Sequence, residues 1–482
     1  MKLIHSLYAF GLLWAGYPRA AARPSTSAGL ISWHGARFPS LNTREFQNAP
    51  IPLTNFGNNF YTTNIGVLGK EIPVAITTAH SDMWLFSSEV VNSNTTAIHA
   101  ELDYGNSLVS GTIAFVNITV GPFVNVTSGM IFRGLCMLKV ADLVEAFVRV
   151  DDAINMTELF DNGVYGVLGL GFENASVIQE ILDENKYDAT LRPHSFASSL
   201  FGSGPGISPF ASLIFGRDSG SGSIQANGTF TFGTYVDTYA SSLAQAVHLP
   251  VFSDTSDEDS SNGTSFPTWA LTLDGLTVNG TQYTLNSSVP QVPSGKSLVI
   301  LDSGYYSTIV SPDIVDFIYS NISGAAYFKE VDAWIIPCNM PANLSLTFGG
   351  QEYLMDPLDL TAIQYFRLTN GTEVTFCSNT FQSSSFRRGS GLPAADMILG
   401  LPFLRNVYTL LSYGNTVYNA TTSEGPYVQF VSVTNATSAS DFSSIRHRIL
   451  ANSPMELTPS EFIKTIRAES TNASSSSDND RT

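Results

Sequence analysis

An apolar strand that runs into a short polar loop, answered much further on by a second apolar run closing on Gly-Leu, occurs twice in this sequence. In the first half Val74-Ala75-Ile76 meets Thr77-Thr78-Ala79, and Gly166-Val167-Leu168-Gly169-Leu170 follows; in the second Leu298-Val299-Ile300-Leu301 meets Asp302-Ser303-Gly304, and Met397-Ile398-Leu399-Gly400-Leu401 follows. Such self-similarity is an internal duplication. It predicts two similar lobes facing each other across a cleft, with the equivalent loops meeting at a pseudo-two-fold axis. At 482 residues the chain is also too long for one ordinary core. From Ile51 to about Phe430 it reads as short β-branched and aromatic runs punctuated by Gly, Asn and Ser, a mostly β pattern. Val177 to Asn185 is the exception and predicts a helix. A polar, acidic stretch, Ser253 to Thr264, divides the repeat, which sets an N-terminal lobe at 51–249 and a C-terminal lobe at 250–430.

The flanks carry a different signal. Met1 to Gly16 has a charge at Lys2 and then a mostly apolar run, with small residues at Ala20, Ala21 and Ala22, so residues 1–22 are expected to be a signal peptide. The competing reading, a membrane anchor, meets a run too short to span a bilayer. Residues 23–50 form a short, mildly basic leader with Arg23, Arg37 and Arg44. Asn-x-Ser/Thr sequons are dense, among them Asn94, Asn117, Asn125, Asn155, Asn227, Asn279, Asn321, Asn343, Asn370 and Asn419, which fits a secreted, extracellular glycoprotein. Three cysteines allow at most one disulfide. Cys338 and Cys377 flank the alternating stretch Leu344 to Phe348 and are the natural pair; Cys136, in an apolar run, reads as a buried thiol. Residues 431–482 turn to Ser, Thr, Asp and Asn. Thr458-Pro459-Ser460-Glu461 can cap a short helix through Ile466, and the rest of this tail is expected to be largely disordered.

Charge and motif content remove whole classes of partner. The net charge of −18, from 41 acidic and 23 basic residues, opposes nucleic-acid binding, which needs clustered Lys and Arg. The His and Cys residues show no metal-ligand spacing, so no metal is expected. The glycines of 202–206 and 216–222 lack the Lys-Ser/Thr of a phosphate loop, and no cofactor is expected.

Asp302 ends a buried apolar strand, where a carboxylate is costly unless donors surround it; Ser303 supplies a hydroxyl, and Gly304 gives room for close backbone approach. Around this point the chain resembles the pepsin-like aspartic proteases over essentially residues 51–430. Ser81-Asp82-Met83-Trp84-Leu85 resembles the stretch that ends in tryptophan after the family's first catalytic loop. Tyr104-Gly105, with Gly111, resembles the flap hairpin whose tyrosine lies over substrate. Trp269 with Leu271-Thr272-Leu273-Asp274-Gly275 resembles the strand that opens the second lobe, and Cys338 and Cys377 stand where the family's C-terminal-lobe disulfide is expected. The resemblance implies the bilobal acid protease fold of a monomer, with a peptide or protein in the cleft contacted by Tyr104, Gly105, Ser303 and Gly304.

It also implies a pair of aspartates sharing one proton, one activating water and the other polarising the scissile carbonyl. Counting back from Trp84, the first of these positions is Thr77, and the loop reads Thr77-Thr78-Ala79-His80. A threonine hydroxyl holds a water but does not take its proton, and loss of general-base help removes around 10²- to 10⁴-fold in rate. Asp82 as a stand-in carboxylate and His80 as a base are the local alternatives. The leader, with three arginines and no lysine, makes a poor inhibitory plug of the kind that covers an active dyad. The favoured expectation is a homologue with impaired catalysis and a cleft that still binds peptide. The alternatives are a divergent endopeptidase acting through Asp302 and a non-enzymatic extracellular glycoprotein.

Overall fold

The computed structural model describes residues 46–47, 50–67, 69–86, 94–103, 107–121, 124–125, 144–154, 156–187, 194–202, 207–218, 227–253, 268–383, 395–417, 420, 422–434 and 438–477. The signal-peptide expectation and the leader up to residue 45, together with Cys136, Asn155 and Asn419, lie outside these residues. Both halves are built on one five-strand frame. In the first, Phe60–Val67, Lys70–Thr77, Gly166–Gly169, Met83–Leu85 and Val144–Ile154 lie side by side; in the second, Ala270–Leu273, Ser297–Leu301, Met397–Leu399, Thr308–Val310 and Phe381–Ser383 do. The four pairings run antiparallel, parallel, antiparallel, parallel in each frame. Strands covered on both faces read as unbroken apolar runs, which is why the repeated motifs do not alternate. Ser297–Leu301 is buried along its whole length. Leu168 pairs with Ile76 and Leu399 with Leu301, so Thr77 and Asp302 occupy the same step of the duplicated frame.

The two halves share backbone as well as symmetry. The first frame continues at one end through Ile51–Phe56, Gly228–Phe232 and Phe210–Ile214 into Val407–Ser412, Tyr427–Ser432 and Leu249–Pro250, and at the other through Leu108–Val120 and Asn94–Asp103, making one thirteen-stranded sheet. Val407–Ser412 and Tyr427–Ser432, which by sequence belong to the second lobe, therefore extend a sheet of the first. Trp269 seals the junction: it is fully buried, its ring lies 4.2 Å from Phe172 and 5.0 Å from Tyr413, and its Nε1 donates to Leu170 O at 3.1 Å. Tyr413 donates its hydroxyl to the same carbonyl at 2.7 Å. Within the second half, Cys338 and Cys377 form a disulfide between neighbouring strands, with Cys377 opposite Ile336. The expected helix spans Val177–Glu184, started by the Ser176 hydroxyl accepting from Gln179 N.

The C-terminal tail departs from its expectation. Instead of a largely disordered segment with one short helix, residues 438–477 form helices Ser438–Leu450 and Pro459–Ser477, joined through Met455–Glu456, which adds a parallel strand beside Val374–Thr375. Thr458 and Glu461 do form a capping box: Thr458 N donates to Glu461 Oε2 at 3.0 Å, and Glu461 N to Thr458 Oγ1 at 3.4 Å. The helix continues past Ile466 because Phe462, Ile463 and Ile466 share a face packed on Phe328, Ile335 and Phe376. Arg467 reinforces that seat with a paired contact to Glu330.

Candidate active site

The strands Lys70–Thr77 and Ser297–Leu301 deliver their following loops to one point between the lobes, and the loops grip each other there. Thr78 Oγ1 donates to Leu301 O at 3.0 Å and accepts from Ser303 N at 3.0 Å, while Ser303 Oγ donates to Ile76 O at 3.3 Å. Thr78 and Ser303 thus tie the loops across more than two hundred residues of chain separation. On this base Thr77 and Asp302 meet directly. Thr77 Oγ1 donates to Asp302 Oδ1 at 3.1 Å, and both residues are 1% exposed. Each is also held by the backbone two residues on: Gly304 N donates to Asp302 Oδ1 at 2.7 Å and Ala79 N to Thr77 Oγ1 at 3.3 Å. The pseudo-two-fold axis thus sets a carboxylate on one side and a hydroxyl on the other.

This arrangement determines the proton chemistry. Burial raises the Asp302 pKa from 3.8 to about 6, against the bonds from Gly304 and Thr77 that favour the anion. Oδ1 takes both of those bonds, and among the described residues Oδ2 has none, which leaves it to address a water or a substrate carbonyl. Gly304 fits closely here: a Cβ on it would lie 3.0 Å from Asp302 Oδ1 and 3.1 Å from Thr77 Oγ1, so both side chains would have to give way. Ala79, at the equivalent step of the first half, carries the methyl that Gly304 lacks.

Neither local alternative to Thr77 supplies the missing base. Asp82 points away from Asp302: its carboxylate accepts from the Ser176 hydroxyl, from Val177 N at 2.8 Å and from Ile178 N at 3.3 Å, anchoring the start of the Val177–Glu184 helix. His80 is buried, and burial lowers its pKa to about 3, so the imidazole is neutral and a poor base; its carbonyl accepts from Gly171 N at 2.7 Å. Tyr104 and Gly105 lie outside the described residues. Of the sequon asparagines, Asn227, Asn279, Asn321, Asn343 and Asn370 are exposed, and Asn94, Asn117 and Asn125 lie in strands. Among the described residues no cluster of three His, Cys, Asp or Glu is placed to hold a metal.

A family model described as eukaryotic aspartyl protease matches residues 59–421. The chain belongs to the eukaryotic aspartyl protease family. It is similar to the aspartic-type endopeptidase ctsD of Aspergillus fumigatus, 22% identical over 364 residues that make up 74% of this chain and 64% of that protein, a little under two thirds of its length. It is likewise similar to aspergillopepsin-1 of Aspergillus clavatus, at 22% over 84% of this chain and 87% of the relative, and to penicillopepsin-2 of Penicillium janthinellum, at 23% over 81% and 86%. The pepsin-like resemblance and the mostly β, bilobal fold are thereby established. Sequence reasoning missed two features of this protease-family scaffold. One is the helix-anchoring role of Asp82, whose partners lie some ninety positions away. The other is a buried ionic cluster around Asp359, joined by Arg217 and Arg405.

Asp82 gives a measurable pH signature. Burial, outweighing the bonds from Ser176, Val177 and Ile178, raises its pKa from 3.8 to about 6. Between those values the native state holds a proton that the unfolded chain releases, so this contribution is complete below 3.8 and is lost as pH rises through about 6. At about 1.4 kcal/mol per unit it amounts to roughly 3 kcal/mol. Asp82→Asn is expected to flatten the decline in stability over that interval, read from urea midpoints on either side of it. An unchanged slope would mean that Asp82 does not titrate there.

Proposed function

We propose that this chain is a secreted pepsin-like aspartic endopeptidase homologue with impaired catalysis, because Thr77 holds the place of the first catalytic aspartate, and that its cleft binds a peptide or protein. The observation that carries this reading is the Thr77 Oγ1 to Asp302 Oδ1 hydrogen bond at 3.1 Å. A working dyad needs one group that takes a proton from water and a second that gives one to the carbonyl oxygen. Asp302 alone serves one of these roles at a time. Below about pH 6 it is protonated and lacks a basic partner; above that it is a base without an acid, since the Thr77 hydroxyl already donates to it. The intact grip of Thr78 and Ser303 supports a cleft that is still held in shape for ligand. Secretion is supported by the sequons at exposed positions and by the disulfide. No described helix is long and apolar enough to cross a membrane.

The test is cleavage of denatured protein from about pH 3 to about pH 6, around the ordinary carboxylate range, with and without an inhibitor directed at an aspartate dyad. The expected result is no inhibitor-sensitive cleavage, alongside saturable binding of peptides. The retained Asp302, with Oδ2 unengaged and a pKa near 6, favours one rival, a divergent endopeptidase working through that residue. Inhibitor-sensitive cleavage that Asp302→Asn abolishes would establish the rival and overturn the proposal.

A further inference from the structure

Beside the Asp302 loop lies a cavity of ≈ 610 Å³, a size suited to a bound ligand, walled by Gly304 and Tyr306, by Asn58 and Glu158 of the first lobe, and by Arg446. Arg446 comes from the helix Ser438–Leu450, beyond the 59–421 span matched by the protease family. Arg446 is 3% exposed, and its guanidinium sits over the Phe442 ring at 5.4 Å. Its hydrogen bonds all run through Nη2, to Thr361 Oγ1 at 2.7 Å, to Thr361 O and to Leu358 O at 3.4 Å. Nε is buried without a partner, and among the described residues Arg446 makes no ion pair.

The other two arginines of the same cavity behave differently. Arg217 and Arg405 are neutralised by Asp359, and Arg217 also by Asp356. Two other acidic groups of the lining have donors of their own: Glu158 accepts from Asn59 at 3.4 Å, and Asp332 accepts from the hydroxyls of Tyr327 and Ser383. Asp359, Asp356 and Glu456 favour the Arg446 charge only from beyond ion-pair distance, and a buried guanidinium with a spare donor and no direct ion pair gains from an anion that completes it. Its planar fork matches a carboxylate. Burial lowers the Arg446 pKa to about 10, which leaves the side chain charged at any physiological pH.

We propose that Arg446 is the recognition point for a carboxylate of a peptide bound in this cavity, supplied either by an acidic side chain or by a free C-terminus. The proposal rests on the reading of the cleft as a peptide site and names the chemistry selected at its far wall. The experiment titrates the full chain, by calorimetry, with three sets of random octapeptides: blocked at both ends with glutamate fixed in turn at each position, the same set with glutamine, and an unfixed set with a free C-terminus. The parent protein is expected to bind a glutamate set or the free-acid set at least about tenfold more tightly than the glutamine set, as a charge-assisted hydrogen bond warrants. Which of the two wins identifies the source of the carboxylate. Arg446→Gln is expected to erase that gap while leaving the glutamine set unchanged. Equal binding of all sets by the parent, or a gap that survives Arg446→Gln, would overturn the carboxylate site and leave peptide binding standing. No binding by any set would overturn both. Should Arg446→Gln fail to fold, Arg446→Lys keeps the cation but loses the fork, and a gap of full size there counts against the proposal.

Discussion

Replacing Thr77 by aspartate together with Ala79→Gly is expected to raise cleavage of denatured protein at acid pH by roughly 10²- to 10⁴-fold over the parent, the span usually credited to a general acid–base group. The surroundings for a second carboxylate are already in place. Thr77 stands at the same step as Asp302 and touches it at 3.1 Å, the loops are fixed by Thr78 and Ser303, and Ala79 N already points at the side chain of residue 77. The second change matters because the mirror position shows how little room there is. A Cβ on Gly304 would approach both Asp302 and Thr77 within about 3 Å, and Ala79 carries such a Cβ on the other side of the axis.

Two carboxylates at that separation do not both ionise, so the pair would share a proton and titrate as a unit, with one step raised further than the Asp302 value of about 6. The expected profile of the variant is therefore bell-shaped and acid-centred. It should vanish with Asp302→Asn in the same background. If the double variant stays silent while still binding peptide, the missing aspartate is not what limits catalysis. The cause would then lie in the cleft walls, with Tyr306 beside Gly304 the first place to look.

Much of this site could be read from the sequence because its signal is local and repeated. An apolar run feeding Asp302-Ser303-Gly304 and its counterpart at Thr77 needs no knowledge of distant contacts, and parallel pairing of buried strands keeps such runs unbroken. Cys338 and Cys377 were legible as the pair the resemblance implied; Cys377 lies within the strand Glu373–Asn379, and Cys338 two residues past the strand Ala333–Ile336 that pairs with it. Asp82 was not. Five residues past Thr77, it looks like a spare catalytic carboxylate, and only the fold brings it to Ser176 and the helix that follows. The C-terminal tail misled through its composition. Its Ser, Thr and Asn content fits a solvated segment, yet Phe442, Phe462 and Ile466 are fully buried, and a few large side chains at helical spacing outweigh a polar average once a second-lobe surface is there to receive them.

Removal of Asp359 should be the most damaging single change to the fold, at about 3–5 kcal/mol, because it strands buried cations without their partner. Arg405 Nε contacts Asp359 Oδ1 at 2.7 Å, Arg217 Nε reaches Oδ2 at 3.0 Å, and Asn406 Nδ2 donates to Oδ2 at 2.9 Å. Arg405 also donates to Asn58 O at 2.9 Å, so the cluster spans both lobes. Asp359→Ala is expected to lower the urea midpoint sharply, and Asp359→Asn to lose nearly as much, since the charge matters more than the volume. Burial alone would raise the Asp359 pKa, but Arg217 and Arg405 outweigh it and hold the carboxyl below its ordinary value. A depressed acid contributes stability that is present above its unfolded value and lost as pH falls through the folded one, so the penalty of Asp359→Ala should shrink only in strong acid. Asp302 and Asp82 have the opposite sign, their contributions complete below 3.8 and lost as pH rises through about 6. The three together favour mild acid, where Asp359 remains ionised while the two raised carboxyls hold their protons. Stability of the parent should therefore peak below neutrality, and a midpoint that rises steadily from mild acid to neutral pH would show that these buried groups do not govern it.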